Sequence, residues 1–567
     1  MGAPVFILGI NCNVHQSAAV LIKDGVLIAA AEEERFTRKK FDSAFPVEAI
    51  RYCLKEARIE MSDVRYAGFY WQPWKGLLKR LWWLVRYFPH SLKTFRAGGD
   101  GRGSIGTLFA HLSVPLKLWR LGFRGKFSFV DHHTAHAASA FFVSPYEQAA
   151  ILTADFTGEH CSTLLGTGNG SEIRVLKRAF LPDSLGMFYA ALTEFLGYRM
   201  HADEYRVMGL AAYGTPRYAD IFRSMIVFKD GILTVDDTSF GYPSAAPVYS
   251  KKWIELLGEP CTDESHITEQ RYADIAASGQ KVLEEMWVAI AAWLKEKTGQ
   301  RNLVLAGGVA LNASANGVLR QSGIFEHVWV QPAANDPGCA LGVCYHIWHG
   351  VLKQPRTFVL NHAYWGPAAT DDEIAAAIQT EGLESEYRDD IEAATARLLA
   401  DGNVVGWYQG RMEWGPRALG NRSILADSRN SAIKEIVNGK IKFRELYRPF
   451  APSVLEEDAE KYFELAGASP FMTFVFPVKA DAKHLIPAVT HVDDSARIQT
   501  VSRSINPRFW QLINEFKKIT GESVILNTSF NVRDEPIVCT PEDAVRCFLN
   551  TELDYLVMGR YLCKKPR

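Results

Sequence analysis

The 567-residue chain lacks any Cys-x-x-Cys pair: its nine cysteines, at 12, 53, 161, 261, 339, 344, 539, 547 and 563, are scattered. That spacing excludes a zinc ribbon and suggests no disulfide framework, so a reducing cytoplasmic location is expected. Neither sign of charge is in excess, with 63 Lys and Arg against 64 Asp and Glu. A general nucleic-acid binder carries a basic surplus, and this balance argues against one. No apolar run approaches the ~20 residues of a membrane span. Met1 to Cys12 has neither the basic region nor the cleavage site of a signal peptide and reads as a first strand. What remains is ordinary for a globular protein, 48% hydrophobic and 22% charged. The length is roughly three to four typical domains, so two or more cores are expected.

The most informative stretch is His132-His133-Thr134-Ala135-His136. On a helix, His132 and His136 share one face about one turn apart, where two nitrogens can converge on one ion, and His133 points elsewhere. The β-prone run Phe127 to Val130 precedes it and the small residues Ala137 to Ala140 follow, which reads as strand, turn and tightly packed helix. Asp155, closing the apolar run 149–154, and Asp336, following 328–332, would complete a mixed nitrogen and oxygen shell. Such a donor set suits iron(II), manganese or zinc better than calcium. The alternative is a surface helix with incidental histidines.

Residues 5–10 form a buried strand ending at the polar turn 11–16, which contains His15. A strand at 17–22 and an Asp24-Gly25 hairpin into 26–31 follow. His15 is either within reach of a small ligand at the sheet edge or a hydrogen-bonded turn histidine. The charge run 32–40 reads as a solvated face, with Lys40 as a candidate for an anion beside His15. A helix is expected from Pro46 over 45–54. Residues 69–96 interleave aromatics with bases, which fits a membrane surface, a cover for an apolar acceptor, or a helix burying its rings. Strand, acidic turn and strand recur around 155–162, the pattern of two related half-domains cradling a nucleotide. Helices at 184–198 and 270–297 lead to a strand that enters Gly307-Gly308 and then Asn312, a turn where backbone can approach a nucleotide closely.

The pattern loosens over 351–370, which we read as a linker between domains at 1–350 and 371–567. In the second domain Arg417 sits in Gly415-Pro416-Arg417-Ala418-Leu419-Gly420, Lys442 and Arg448 follow a helix, and Arg497 lies in a later turn. A strand at 523–526 ends at Asn527-Thr528-Ser529. Separated cations in a neutral domain make sense if they converge on phosphate oxygens.

In order, Gly9-Ile10-Asn11 with His15, Glu33 to Phe36, His132 with His136, Val207 to Gly214, Gly307 to Asn312, Asp336-Pro337-Gly338 and Gly415 to Ser423 resemble the NodU and CmcH family of O-carbamoyltransferases. The resemblance implies an α/β protein, with an N-terminal Kae1-like domain of the actin and sugar-kinase superfold and a C-terminal YrdC-like domain. It implies an enzyme of the EC 2.1.3 type, acting in antibiotic or other natural-product biosynthesis. The second domain would form carbamoyl adenylate from carbamoyl phosphate and ATP with Mg2+, and the first would pass the carbamoyl group to a hydroxyl of a small molecule or glycoside. His132, His136, Asp155 and Asp336 would hold iron(II) or another divalent metal, and His15 would be catalytic. Lys40, Gly307, Gly308 and Asn312 would contact carbamoyl adenylate or nucleotide in the first domain. Arg417, Lys442, Arg448, Arg497, Asn527 and Ser529 would grip ATP and carbamoyl phosphate. A small-molecule acceptor, no nucleic acid, no transmembrane segment and the option of a homodimer complete the expectation. Competing readings are a threonylcarbamoyl-type tRNA modification enzyme and a non-catalytic ATPase switch of the actin superfold. One departure stands out: the family pattern would place a glycine where Phe156 is and a tryptophan near 160.

Overall fold

The computed structural model describes residues 3–76, 82, 85–86, 103–241, 247–465 and 467–565, so much of the aromatic and basic segment 69–96 lies outside the described residues. The chain forms two compact units, Met1–Glu33 with Phe41–Leu360, and Glu34–Lys40 with Asn361–Arg567. The main division falls within the expected linker, but the return of residues 34–40 to the second unit was not anticipated.

The first unit is built on one topology used twice. Phe6–Asn11, Ala18–Lys23 and Val26–Glu32 pair antiparallel, and Val64–Phe69 and Lys126–Phe129 add on in parallel. Numbered within the sheet, the strands lie 3-2-1-4-5. Gln148–Ala154, Cys161–Asn169, Glu172–Phe180, Asn302–Ala306 and His327–Val330 repeat that order and those directions. The central strands are apolar runs buried along their length, as a sheet covered on both faces requires. Asp24 and Gly25 both have positive φ at the hairpin, where an Asp-Gly pair meets the twist of the flanking strands.

In each half a helix follows the fifth strand: His132–Phe141 in the first and Asp336–Tyr345 in the second. These helices pack on each other without side chains between their backbones at the crossing. A Cβ on Gly342 would lie 1.7 Å from the Ala135 carbonyl oxygen, and one on Gly9 would lie 1.9 Å from that of Ala340. The first helix opens on Asp131, whose carboxylate accepts from the Thr134 N–H at 2.9 Å and caps it.

The second unit is an eight-stranded sheet in the order Glu384–Tyr387, Tyr561–Lys564, Tyr555–Met558, Val405–Tyr408, Arg422–Asp427, Val524–Ser529, Ala451–Leu455 and Gln499–Val501. Helices Ile391–Ala400 and Pro507–Thr520 pack together and bury Trp407, Leu425, Phe509, Ile513, Phe516 and Ile525 against it.

The charge run 32–40 is not a solvated face. Glu33 accepts from the Glu48 and Ala49 N–H groups at 3.1 and 2.8 Å, holding the start of helix Val47–Ala57, whose N-terminal Pro46 supplies no side-chain cap. Glu34 and Arg35 are buried and paired at 3.1 Å. Within the second unit, Arg35 donates to the Gly415 carbonyl at 3.2 Å and Arg38 to those of Pro536 and Ile537 at 2.8 and 2.7 Å. Tertiary hydrogen bonds thus override the local polarity on which the sequence reading rested.

Gly342→Ala has no room at the helix crossing and should destabilise the first unit by about 1–3 kcal/mol, as overpacked cores do. A thermal melt followed by circular dichroism should show an earlier first transition; an unchanged transition would mean that the helices are free to separate.

Candidate functional site

The two fifth-strand helices and the turn after Gln148–Ala154 bring together four side chains in the first unit. His132 and His136 lie one turn apart and are buried; their Nε2 atoms are 3.1 Å from each other. His136 Nε2 is 3.2 Å from Asp155 Oδ2 and 3.9 Å from Asp336 Oδ1; His132 Nε2 is 3.9 and 3.8 Å from the same atoms. One ligand atom from each of the four falls within 4.8 Å of every other. Two facing imidazole nitrogens share at most one hydrogen bond, so the remaining lone pairs and the two carboxylate oxygens converge on one point. That is the electrostatic demand of a cation, and a two-nitrogen, two-oxygen donor set fits a borderline divalent ion.

Neighbouring groups fix this cage. Asp155 Oδ2 accepts from the Gly308 N–H at 3.0 Å, and the Tyr70 hydroxyl donates to Asp336 Oδ2 at 3.3 Å. Glu159 accepts from the backbone N–H groups of His132 and Gln72 at 3.2 and 2.8 Å. Burial alone would depress the His132 imidazole; Asp155 and Asp336 overcome it and raise its pKa to about 9. Burial dominates for His136 and holds it below the ordinary histidine range, while the two imidazoles outweigh burial at Asp155 and keep that carboxyl well below its usual range. His133 faces away as expected, its ring nitrogens 2.7 Å from Thr153 Oγ1 and 3.1 Å from the Cys161 carbonyl.

The His15 turn lies on the same side of the unit. Its neighbour Gln16 accepts from Asn335, one residue before Asp336, at 2.5 Å. The His15 ring is 4.6 Å, centroid to centroid, from that of His201, which in turn is 4.7 Å from Phe156. Phe156, where the family pattern would have glycine, therefore fills the acidic turn with an aromatic wall. His201 adopts a left-handed φ of 64°, and its N–H donates to the Glu204 carboxylate. Burial raises the Glu204 carboxyl to about 7.

In the second unit burial and then the charges of Arg417 and Arg448 depress the Arg497 guanidinium, and Arg448 is itself 3.8 Å from the Glu445 carboxylate. The buried Nε of Arg497 has no hydrogen-bond partner. Glu413 shapes the loop that carries Arg417, accepting from the N–H groups of Leu419, Asn421 and Arg422 at 2.6, 2.9 and 3.3 Å. The Arg422 guanidinium is buried over the Tyr408 ring at 3.7 Å and donates to the Gln409 carbonyl at 2.6 Å, so it is part of the scaffold.

The other expected site residues stand among protein contacts. Lys40 belongs to the second unit, where its charge bears on Lys442, and not to the first. The Lys442 ammonium is taken up by the Ser529 and Asn531 carbonyls, both at 2.7 Å, and Asn531 Oδ1 at 2.6 Å, so it pins a loop. Ser529 donates to Asn531 Oδ1 at 2.7 Å, within that same network. The Asn527 amide nitrogen donates to Ser453 Oγ and Gln499 Oε1 at 2.9 and 3.0 Å, leaving its buried Oδ1 without a partner. Asn312 caps helix Ala313–Gln321 through the Ala315 N–H and exchanges hydrogen bonds with Gln280, so its side chain is spent on structure. Gly307 has φ of 92° and a Cβ there would meet the Ala154 carbonyl at 2.1 Å; its glycine is needed for protein packing.

Sequence reasoning missed Tyr70, Glu159, His201, Glu204 and Glu413. It also missed Cys339, whose thiol can join His132 and His136 in a three-ligand set. Glu204, three residues before the Val207-to-Gly214 motif, was the one with a local signal; the others are assembled by long-range contacts.

Two family models match, one described as carbamoyltransferase N-terminus over residues 6–345 and one as carbamoyltransferase C-terminus over 396–565. The chain is 41% identical to the protein sll1178 of Synechocystis over 99% of its own length and 96% of that protein's. It is also 41% identical to the nodulation protein NolNO of Sinorhizobium fredii, over 98% of its own length and 80% of the relative's. Among solved structures, component A of the (R)-2-hydroxyglutaryl-CoA dehydratase of Acidaminococcus fermentans aligns at a TM-score of 0.32 and 15% identity, covering 61% of this chain and 99% of that one. With both models matched in order and near-complete alignment to these relatives, the chain belongs to the carbamoyltransferase family.

Proposed function

We propose that the chain is an ATP-dependent O-carbamoyltransferase whose second, YrdC-like unit makes carbamoyl adenylate and whose first, Kae1-like unit transfers the carbamoyl group to a hydroxyl. The observation that carries this reading is the Arg497 guanidinium, whose buried Nε has no hydrogen-bond partner and which lies in the field of Arg417 and Arg448, so that an anion would be favoured beside it. Carbamoyl phosphate and ATP together bring roughly six negative charges, and bringing them within reacting distance requires such a cluster. In the reaction water takes the phosphoryl group of carbamoyl phosphate as inorganic phosphate, and the carbamate oxygen so freed attacks the α-phosphorus of ATP and displaces pyrophosphate, leaving the carbamoyl group on adenylate. Arg417 and Arg497 hold the phosphate oxygens. Lys442, Ser529 and Asn531 keep the neighbouring strand end in place.

In the first unit His132, His136, Asp155 and Asp336 would hold the metal, with iron(II) the expected ion. Bound there, it would supply Lewis acidity toward an oxygen of the carbamoyl donor. Asp155 is oriented by the Gly308 N–H and Asp336 by Tyr70. His15 takes the proton of the acceptor hydroxyl as that oxygen attacks the carbamoyl carbon and adenylate leaves. His201 and Phe156 line one side of His15 and limit water there.

The two half-reactions separate by mutation. His15→Asn should lower transfer to an acceptor by roughly 10²-fold or more, while pyrophosphate release that depends on carbamoyl phosphate stays within about twofold. Arg417→Ala should cut that release by roughly 10²-fold. Pyrophosphate release that ignores carbamoyl phosphate, or loss of the same half-reaction in both variants, would sink the assignment.

Metal binding is checked apart from turnover. Isothermal titration of chelator-treated protein with cobalt(II) should show about one site per chain, weakened roughly 10-fold or more in His136→Ala. Equal affinity in the variant would mean that the cage is not the site.

A further inference from the structure

The reaction leaves one feature of the first unit without a use. Helices Gly103–Leu112 and Val114–Arg120 follow each other with only Ser113 between them, and Ser113 itself is in the right-handed helical region. Val114 and Leu118 turn inward and are fully buried. Phe109, Leu112, Leu116 and Trp119 turn outward and are 66%, 46%, 50% and 55% exposed. Their spacing of three, four and three residues is that of a single helical stripe, so four large apolar side chains form one continuous exposed ridge. Soluble monomers rarely leave such a ridge without an occupant.

Charge identifies the occupant. From Gly103 to Lys126 the sequence carries four Lys and Arg and no Asp or Glu, whereas the chain as a whole has 63 and 64. Beside the ridge stand Lys117, Arg120, Arg124 and Lys126, and no described acid pairs with them. Lys117 lies over the Phe45 ring and Arg124 over that of Trp119, so both carry their charge next to the apolar ridge. Trp74, 53% exposed, packs edge-on against Phe129 on the same unit. A nucleic-acid surface would call for bases and aromatics but not for Leu112 and Leu116 at helical spacing. An amphipathic helix with aromatic and leucine residues on one face, flanked by cations, matches the interface of an anionic bilayer.

The ridge also connects to the cage. His111, on the inward face of the same helical segment, packs against Trp71 with centroids 5.4 Å apart, and Trp71 packs against His132 at 5.3 Å. One aromatic layer therefore separates the exposed helix from a cage histidine.

We propose that the first unit docks on an anionic lipid surface through Phe109, Leu112, Leu116 and Trp119 with the basic residues around them. The attachment is peripheral, since no helix among the described residues is long and apolar enough to cross a membrane. It does not depend on the identity of the reaction.

Co-sedimentation of the full chain with vesicles tests it. Vesicles of phosphatidylcholine with about one third phosphatidylserine should bind at least roughly tenfold more protein than pure phosphatidylcholine. Raising salt from about 0.05 to 0.5 M should remove most of that difference. Arg120→Glu with Arg124→Glu should reproduce the effect of salt, and Leu116→Ser with Trp119→Ser should weaken binding even at low salt. Trp119→Phe, which keeps the fold and the ridge, should selectively reduce quenching of tryptophan emission by brominated acyl chains. The proposal is overturned by equal binding to both vesicle types, or by unchanged quenching in Trp119→Phe. It is equally overturned if low-salt binding to single-stranded DNA exceeds binding to vesicles, or if Leu116→Ser with Trp119→Ser abolishes self-association while leaving vesicle binding intact.

Discussion

The close approach of helices His132–Phe141 and Asp336–Tyr345 is the constraint on which the first site depends. Each helix follows the fifth strand of one half of a repeated topology, so their N-terminal turns meet where the two halves face each other. Contact at the backbone, with Gly342 against the Ala135 carbonyl, brings His136 and Asp336 within 3.9 Å. The first helix is rich in small residues, Ala135, Ala137, Ala138 and Ala140, all fully buried, which lets its neighbours approach closely. Larger residues there would fill the crossing and pull two histidines from two aspartates. Packing and chemistry are thus set by the same small side chains.

What the sequence made legible was local. The Asp24-Gly25 hairpin, the i,i+4 histidines and the strand ends carrying Asp155 and Asp336 all announce themselves through spacing or turn chemistry. Other contacts left no such signal. Gly307 signals that something comes close to the backbone, and in this fold the neighbour is the Ala154 carbonyl; glycine alone does not say whether ligand or protein fills the space. Asn312 precedes Ala313 as an N-cap residue does, and that reading competes with ligand contact. Residues 34–40 look solvated because charge runs normally are, yet Arg35 and Arg38 find carbonyl acceptors near residues 415 and 537. Hydrogen bonds across 380 and 499 positions leave no trace in a local pattern.

Membership in the carbamoyltransferase family accounts for the order of the two units and leaves their electrostatics to be explained by the residues. The first site gathers acceptors: two carboxylates and two imidazole nitrogens within 4.8 Å. The second gathers donors, with burial and the charges of Arg417 and Arg448 depressing the Arg497 guanidinium. A cation would fit the first and an anion the second.

Lys442 shows how the second unit holds a buried cation. Three oxygens at 2.6–2.7 Å form the shell of an ammonium ion, while burial and the charges of Arg444, Arg448 and Lys40 push its pKa well down. The charge is held by carbonyl dipoles and an amide oxygen instead of a counter-ion, and those oxygens belong to the Ser529–Asn531 turn. An anion beside Arg448 would lower the repulsion on Lys442, so the residues that would attract such a ligand are coupled electrostatically to the turn that Lys442 supports.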